Sequence, residues 1–169
     1  MMFVRRIFNT YIYFIVLCCF LLVNTIQAEE EQTEFECLVE AIYFEARNQT
    51  FISQLAVANV IMERVRLDWF PSTICGVVHE GRQWKGAMVR HACEFSYYCD
   101  GKNEHMKEPE AIVRAMEVAE LAMSGGLVED TLGATHYHAT YVNPKWAKES
   151  RFVLLDKIGK HIFYLDKGK

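Results

Sequence analysis

The spacing of apolar positions predicts helices in the first half of the chain. Apolar side chains recur every three or four residues through CLVEAIYFEARNQ, which predicts a helix from Cys37 to about Asn48. The segment QLAVANVIMERV repeats this pattern directly after Ser53, a residue type favoured at the N-cap, so a second helix is expected there. Its expected buried stripe consists of Leu55, Val57, Ala58, Ile61, Met62 and Val65.

A third long helix is expected after Pro109, because proline is favoured in the first turn and Gly125 and Gly126 end the pattern. Between the second and third helices, residues 73–78 predict a short helix or turn. Residues 79–105 mix glycine, aromatic and charged side chains and predict a loop or a small sheet. The predicted buried face of the third helix consists of Ile112, Ala115, Met116, Ala119, Ala122 and Met123.

The end of the chain predicts β-strands. Residues 134–141 alternate in character, with His136 and His138 on one face and Tyr137 on the other. Residues 152–155 and 161–165 are two further short apolar runs, the second rich in β-branched and aromatic side chains. A helical region followed by a small β region predicts one α+β domain.

The N-terminal segment predicts export from the cytoplasm. Arg5 and Arg6 precede a short apolar run that ends before Ala28, which is typical of a secretory signal peptide. We therefore predict a signal peptide or a retained signal anchor at 1–28, an acidic linker at 29–36 and a folded domain at 37–169. The expected location is secreted or periplasmic, in the cell envelope, with membrane attachment only through an uncleaved anchor.

Charge and cysteine content narrow the possible partners and the redox environment. Cleavage removes Arg5 and Arg6 and no acid, so the formal net charge changes from −4 to −6, and no basic run remains that would bind nucleic acid. The four remaining cysteines favour two disulfides in an exported protein, with three possible connectivities. We favour Cys93 with Cys99, a short loop, which leaves Cys37 with Cys75. A zinc site built from the four is the alternative.

Glu45 is the acidic residue that the helical pattern does not explain. At about 100° per residue it falls on the apolar side, near Leu38 and Ala41. Glu36, Glu40 and Arg47 fall on the opposite side, which we expect to be solvated. Burial and the partial negative charge of the helix C-terminus both disfavour the charged carboxylate. A carboxyl that keeps its proton in this way can act as a general acid. The alternative is a structural carboxylate paired with an arginine.

Aromatic and histidine side chains downstream could surround a substrate. Tyr and Trp rings stack on the apolar faces of sugars while their polar atoms reach hydroxyl groups. The simpler interpretation for part of this set is core packing. Three histidines, His136, His138 and His161, could alternatively hold zinc, although no H-E-x-x-H motif is present. The aromatic set consists of Trp84, Tyr97, Tyr98, Tyr137, Tyr141 and Trp146.

Six motifs occur in order from Cys37 to about Tyr164: C-x3-AIYFEAR, QLAVANVIMERV, FPSTICGVV, CEFSYYCDG, GATHYHA and IGKHIFY. Together they resemble the cell wall hydrolase family of the spore cortex-lytic enzyme SleB. The resemblance implies a lysozyme-like, transglycosylase-related fold with a helical lobe and a small β lobe. It implies that residues 37–169 form a catalytic domain that cleaves peptidoglycan. We expect no cofactor and no metal.

The resemblance also implies roles for individual residues. Glu45 matches the catalytic Glu of the EARG motif. We also expect Glu94, Ser96, Tyr97, His136, Tyr137, His138 and Trp146 to bind substrate. The chain departs from the family pattern in three places: Asn48 and Gln49 replace the end of EARGE, Glu63 stands where Asn is usual, and Glu94 replaces the Gln of CQFS.

These observations lead to one main hypothesis and three alternatives. We expect a lytic transglycosylase that cuts between N-acetylmuramic acid and N-acetylglucosamine, with Glu45 as the single acid and base. A hydrolytic muramidase would add a second carboxylate, for which Glu94 is the candidate. A zinc amidase would use the three histidines, and a wall-binding module would keep the aromatic surface without catalysis.

Overall fold

The computed structural model describes residues 32–168. The predicted signal peptide or signal anchor at 1–28 lies outside these residues, as do residues 29–31 of the predicted linker. Within residues 32–168 no helix is long and apolar enough to cross a membrane.

The first helix, α1, spans Glu34–Ala46, so it begins three residues before the predicted start. Thr33 and Glu36 form a capping box: Thr33 Oγ1 accepts a hydrogen bond from Glu36 N at 3.2 Å, and Glu36 Oε2 accepts one from Thr33 N at 2.7 Å. The T-x-x-E pattern of Thr33 and Glu36 is typical of a helix N-terminus, although both residues lie within the predicted acidic linker. The predicted linker at 29–36 is therefore wrong for its last three residues, which are helical.

The other helices follow the predicted order. Helix α2 spans Phe51–Arg66, and its N-cap is Thr50, not the predicted Ser53. The Thr50 hydroxyl accepts the Ser53 N–H at 3.3 Å, whereas Ser53 itself is fully buried in the first turn. The short helix α3 spans Ile74–Val78, and α4 spans Pro109–Met123 with its proline in the first turn.

The buried face of α4 differs from the prediction at two methionines. Met116 and Met123 are 40% and 43% exposed, whereas Ala111 and Val118 are buried. The buried positions form a stripe of mostly small side chains, which lets α4 approach α1 and α2 closely, and the methionines lie outside this stripe. The stripe consists of Ala111, Ala115, Val118, Ala119 and Ala122.

The core lies between the helices. Leu38 and Ile42 of α1 are fully buried against Val57 and Ile61 of α2. A disulfide between Cys37 and Cys75 joins α1 to α3, which confirms one predicted pairing.

The β elements form two antiparallel sheets. Strands β1 (Gly81–Trp84) and β2 (Ala87–Cys93) make a hairpin, and a short 3₁₀ helix, Ser96–Cys99, follows it. Strands β3 (His136–Ala139), β4 (Phe152–Ile158) and β5 (His161–Asp166) form a sheet with the order β3-β5-β4. The Cys93–Cys99 disulfide closes the turn after β2, which confirms the second predicted pairing. The predicted α+β class is confirmed.

Candidate active site

Glu45 lies in the last turn of α1 and is partly buried. Its Oε2 accepts a hydrogen bond from the hydroxyl of Tyr137, on β3, at 3.1 Å. Burial raises the pKa of the Glu45 carboxyl above its ordinary value, and the hydrogen bond from Tyr137 opposes part of that rise. The raised pKa agrees in direction with the argument from the helical pattern. A carboxyl in this state holds its proton at a higher pH and can deliver it to a bound substrate.

Glu45 opens onto a cleft of about 490 Å³ between the end of α1, the segment after β2 and strand β3. A second recess of about 270 Å³ shares five lining residues with the first, so the two are parts of one cleft: Phe44, Glu45, Ala139, Tyr141 and His161. The structure brings all seven predicted substrate-binding residues to the larger part. They are Glu94, Ser96, Tyr97, His136, Tyr137, His138 and Trp146.

Aromatic rings form much of the cleft wall. Tyr97 stacks on Phe44 with ring centroids 4.7 Å apart, and Trp146 lies between His136 and His138 at 5.5 and 5.7 Å. Two members of the predicted aromatic set lie elsewhere: Trp84 is exposed at the end of the β1–β2 hairpin, and Tyr98 stacks on His79 at 4.1 Å.

The three histidines considered for zinc have different partners. His136 Nδ1 lies 2.9 Å from Thr135 Oγ1, His138 Nε2 lies 3.1 Å from the Tyr164 hydroxyl, and His161 Nδ1 lies 3.0 Å from Gln49 Nε2. In the described part of the chain, no three His, Cys, Asp or Glu side chains are grouped as metal ligands. Burial, followed by the charge of Arg64, lowers the pKa of His136 to about 4.

Arg64 is a cleft residue that sequence reasoning missed. It is buried near the end of α2, where its Nε donates a hydrogen bond to Thr135 O at 2.8 Å. Its Nη1 lies 3.5 Å from Glu94 Oε2, and the Glu94 side chain is 49% exposed. Glu94 therefore faces the cleft while held by an arginine. The neighbouring Glu80 has a raised pKa, first because of burial and then because of the Glu94 charge.

Glu40 is buried, which corrects the prediction of a solvated side chain. Its Oε2 accepts a hydrogen bond from Gln32 Nε2 at 2.8 Å. The segment that carries His79 and Tyr97 folds against this side of α1, and the Glu40 charge acts on both residues. A helical wheel shows the faces of one helix but not which of them another segment covers.

Comparison with known proteins identifies the family. Residues 48–164 match the family model described as Cell Wall Hydrolase, which is more than half of the chain. The chain belongs to the cell wall hydrolase family. The expectation of an enzyme of this family is thereby confirmed, although the matched span begins just after Glu45.

Curated relatives point to the same family. The chain is 30% identical over 136 residues to a spore cortex-lytic enzyme of Bacillus cereus, an alignment that covers 78% of this chain and 44% of the relative. A spore cortex-lytic enzyme of Halalkalibacterium halodurans is 28% identical over 147 residues, covering 83% of this chain and 37% of the relative. The chain thus spans less than half the length of these relatives.

Solved structures confirm the fold. The catalytic domain of the Bacillus cereus SleB protein matches with a TM-score of 0.55 and 28% identity, covering 78% of this chain and 88% of that domain. The catalytic domain of the germination-specific lytic transglycosylase SleB from Bacillus anthracis matches with a TM-score of 0.59 and 28% identity, covering 82% and 99%.

Proposed function

We propose that this protein cleaves the glycan strands of peptidoglycan as a lytic transglycosylase, with Glu45 as its only catalytic acid and base. The observation that carries the proposal is the Glu45 carboxyl itself. It is partly buried, its pKa is raised, and it accepts a hydrogen bond from Tyr137 at the wall of an aromatic cleft. The names of the relatives, a spore cortex-lytic enzyme and a lytic transglycosylase, support peptidoglycan as the substrate.

The reaction requires a proton for the oxygen that leaves when the bond between N-acetylmuramic acid and N-acetylglucosamine breaks. Protonated Glu45 supplies it, and the resulting carboxylate then takes the proton from the C6 hydroxyl of the muramic acid. The C6 oxygen bonds to C1 and gives a 1,6-anhydro product without consuming water. Tyr137 holds the carboxyl in place, because its hydroxyl donates to Oε2 of Glu45.

The other cleft residues would bind the sugar rings. Tyr97 and Trp146 present aromatic faces, and Ser96, His136 and His138 present hydrogen-bonding atoms along the same wall. This requires neither a metal nor an organic cofactor. The site of action is the cell envelope, which a chain exported by residues 1–28 would reach.

A hydrolytic muramidase is the second candidate, and the position of Glu94 favours it. Glu94 lines the same cleft as Glu45, so it could activate a water molecule. Its ion pair with Arg64, which is anchored to Thr135 O, supports the single-carboxylate reaction instead, because the pair engages the carboxylate at the wall.

The mass of the products released from purified peptidoglycan tests the proposal. We expect 1,6-anhydro muropeptides from the unaltered protein, and products heavier by one water would instead establish hydrolysis. Glu45→Gln is expected to reduce release by about 10³-fold, the typical contribution of general acid–base catalysis, while the protein stays folded.

Near-normal release by Glu45→Gln would contradict the assigned role of Glu45. Loss of activity on adding a chelator would favour a zinc amidase, and binding without any released fragment would favour a wall-binding module.

A further inference from the structure

Gln49 lies in the loop between α1 and α2, at the position where the family resemblance places a second Glu. We propose that Gln49 is a positioning residue that holds His161 in the neutral form protonated on Nε2, and that this N–H donates to an uncharged oxygen of the bound glycan. The glycan part of this inference rests on the proposed function.

The hydrogen bonds of Gln49 determine which of its side-chain atoms faces the histidine. Gln49 Oε1 lies 2.8 Å from Lys160 N. A backbone N–H can only donate, so the atom that it meets must be the carbonyl oxygen of the amide. The amide nitrogen therefore faces His161, with its Nε2 at 3.0 Å from the ring Nδ1.

The orientation of the amide in turn determines the tautomer of His161. An amide nitrogen only donates, so Nδ1 of His161 must accept and can carry no proton. In a neutral ring the proton then lies on Nε2. Nε2 makes no hydrogen bond to any of residues 32–168, and the ring lines both parts of the cleft. It is the ring atom that remains free for a ligand.

Gly159 keeps the turn before β5 close to this amide. Its φ is +57°, a conformation that glycine adopts readily. A Cβ at this position would collide with Gln49 Oε1 and with the Ser53 hydroxyl oxygen. The turn and the start of α2 are therefore in contact, and Gln49 is enclosed between them.

The surroundings of His161 also favour a neutral ring. His161 is 6% exposed, and burial, followed by the charge of His138, lowers its pKa to about 4. Its ring packs edge-on against Tyr137 with centroids 4.9 Å apart.

Three charged groups share a recess with His161: Glu45, Arg47 and Lys160. Arg47 is paired with Glu108 at 3.1 Å, and Glu45 would favour an imidazolium only when it is ionised. A protonated Glu45, the form required of the acid, therefore coexists with a neutral His161.

A carboxylate at position 49 would reverse this arrangement. It cannot donate to Nδ1 but can accept from it, so it would favour a proton on Nδ1 and raise the pKa of His161. An imidazolium would then stand beside Glu45 and would favour loss of its proton.

Imidazole ¹⁵N NMR of the full-length protein tests the tautomer without any substrate. We expect unaltered His161 at neutral pH to carry its proton on Nε2 alone. Gln49→Glu should raise the pKa of His161 or move the proton to Nδ1. Gln83→Glu, the same change on the exposed strand β1, should alter neither property. A proton on Nδ1 of the unaltered protein, or an unchanged His161 in Gln49→Glu, would overturn the proposal.

Titration with an N-acetylglucosamine tetramer tests the donor role. We expect the Nε2 signal to shift on binding, and comparison with the deacetylated tetramer identifies the acceptor. A shift with both sugars indicates a hydroxyl, and a shift with the acetylated sugar alone indicates the acetamido carbonyl. Binding of the acetylated tetramer, seen elsewhere in the spectrum, without any shift of Nε2 would overturn the donor role.

Activity separates this inference from the proposed function. Gln49→Glu is expected to lose about 10-fold in kcat/KM on peptidoglycan, the size of one lost hydrogen bond to a substrate, while Gln83→Glu keeps full activity. If the unaltered protein releases no muropeptides but shows the Nε2 tautomer, the proposed function fails and the positioning by Gln49 stands. If it releases muropeptides but carries the His161 proton on Nδ1, the proposed function stands and the positioning by Gln49 fails.

Discussion

The helical region and the cleft wall each contain one disulfide, but the two bonds hold different kinds of structure. Cys37–Cys75 joins α1 to α3 across a separation of 38 residues, beside the fully buried Leu38 and Ile42. Cys93–Cys99 closes a separation of only 6 residues, around a segment whose side chains face the cleft. The helical region provides most of the apolar burial that stabilises the fold, whereas the cleft wall combines buried side chains such as Phe95 and Arg64 with partly exposed ones such as Glu94.

Removing the two disulfides separately should give the largest contrast in stability. Replacing Cys37 and Cys75 by serine is expected to lower the free energy of unfolding by about 4 kcal/mol, and the same change at Cys93 and Cys99 by about 2.4 kcal/mol, since the longer loop gains more entropy when released. Denaturant unfolding measures both.

Activity should show the opposite order. At a temperature where both variants are folded, loss of Cys93–Cys99 should reduce peptidoglycan cleavage about 10-fold, because Glu94 and Tyr97 lose their fixed positions. Loss of Cys37–Cys75 should leave cleavage within about twofold. Equal activity losses in the two variants would contradict this division between the regions.

The hydroxyl groups of Tyr137, in the cleft, and Tyr43, in the helical region, allow the same comparison with single substitutions. Tyr137→Phe removes the hydrogen bond to Glu45, so we expect about 10-fold lower kcat. Because that hydrogen bond lowers the pKa of Glu45, its loss should also move the alkaline fall in activity to higher pH. A pH profile of kcat measures both effects.

Tyr43→Phe is the matched control. The Tyr43 hydroxyl accepts the backbone N–H groups of Lys107 and Glu108 at 3.1 and 3.3 Å, away from the cleft. This change should cost about 1 kcal/mol of stability and leave the pH profile unchanged. A displaced profile in Tyr43→Phe would show that the Tyr137 effect is not specific.

The smallest expected effects concern two carboxyls at opposite ends of α1. Burial raises the pKa of Glu45 in the folded state above its pKa in the unfolded state. Ionisation of Glu45 therefore lowers the stability of the folded state as the pH rises from the unfolded-state pKa to the folded-state pKa. Glu45→Gln should therefore gain stability relative to the unaltered protein over that rise. Hydrogen bonds from Thr33 lower the pKa of Glu36, and the stability that they provide is present above the unfolded pKa and lost as the pH falls through the folded one.

Glu36→Gln should accordingly be less stable at neutral pH and should lose that difference on acidification. Chemical denaturation from pH 3 to pH 8 gives both curves. Parallel curves for the two variants would contradict the opposite environments assigned to Glu36 and Glu45.

Much of the fold could be predicted because it rests on local patterns. The 3.6-residue period located α1, α2 and α4, and alternation located β3. The predictions were wrong where the burial of a residue depends on which other segment packs against it. Met116 was expected in the core because it is apolar, but the close packing of α4 selects the small side chains beside it.

The candidate site was predictable in its residue types but not in its connections. Glu45 was identified as an acid on an apolar face, and the cleft gathers it with the seven residues predicted to bind substrate. Arg64 was not predicted, because the sequence pattern of a helix does not distinguish an arginine that another segment buries from an exposed one. Its partner oxygen, on Thr135, is 71 residues away in the chain.

The sequence by itself determined the helical periodicity, the resemblance to the cell wall hydrolases and the choice of Glu45, since each depends on residues close together in the chain. Only the tertiary structure decided what surrounds that carboxyl. Tyr137 reaches Glu45 across 92 residues and Gln49 reaches His161 across 112. Hydrogen bonds between such distant residues depend on how the elements pack, and the packing creates the surroundings that raise the pKa of the Glu45 carboxyl and places Gln49 beside Nδ1 of His161.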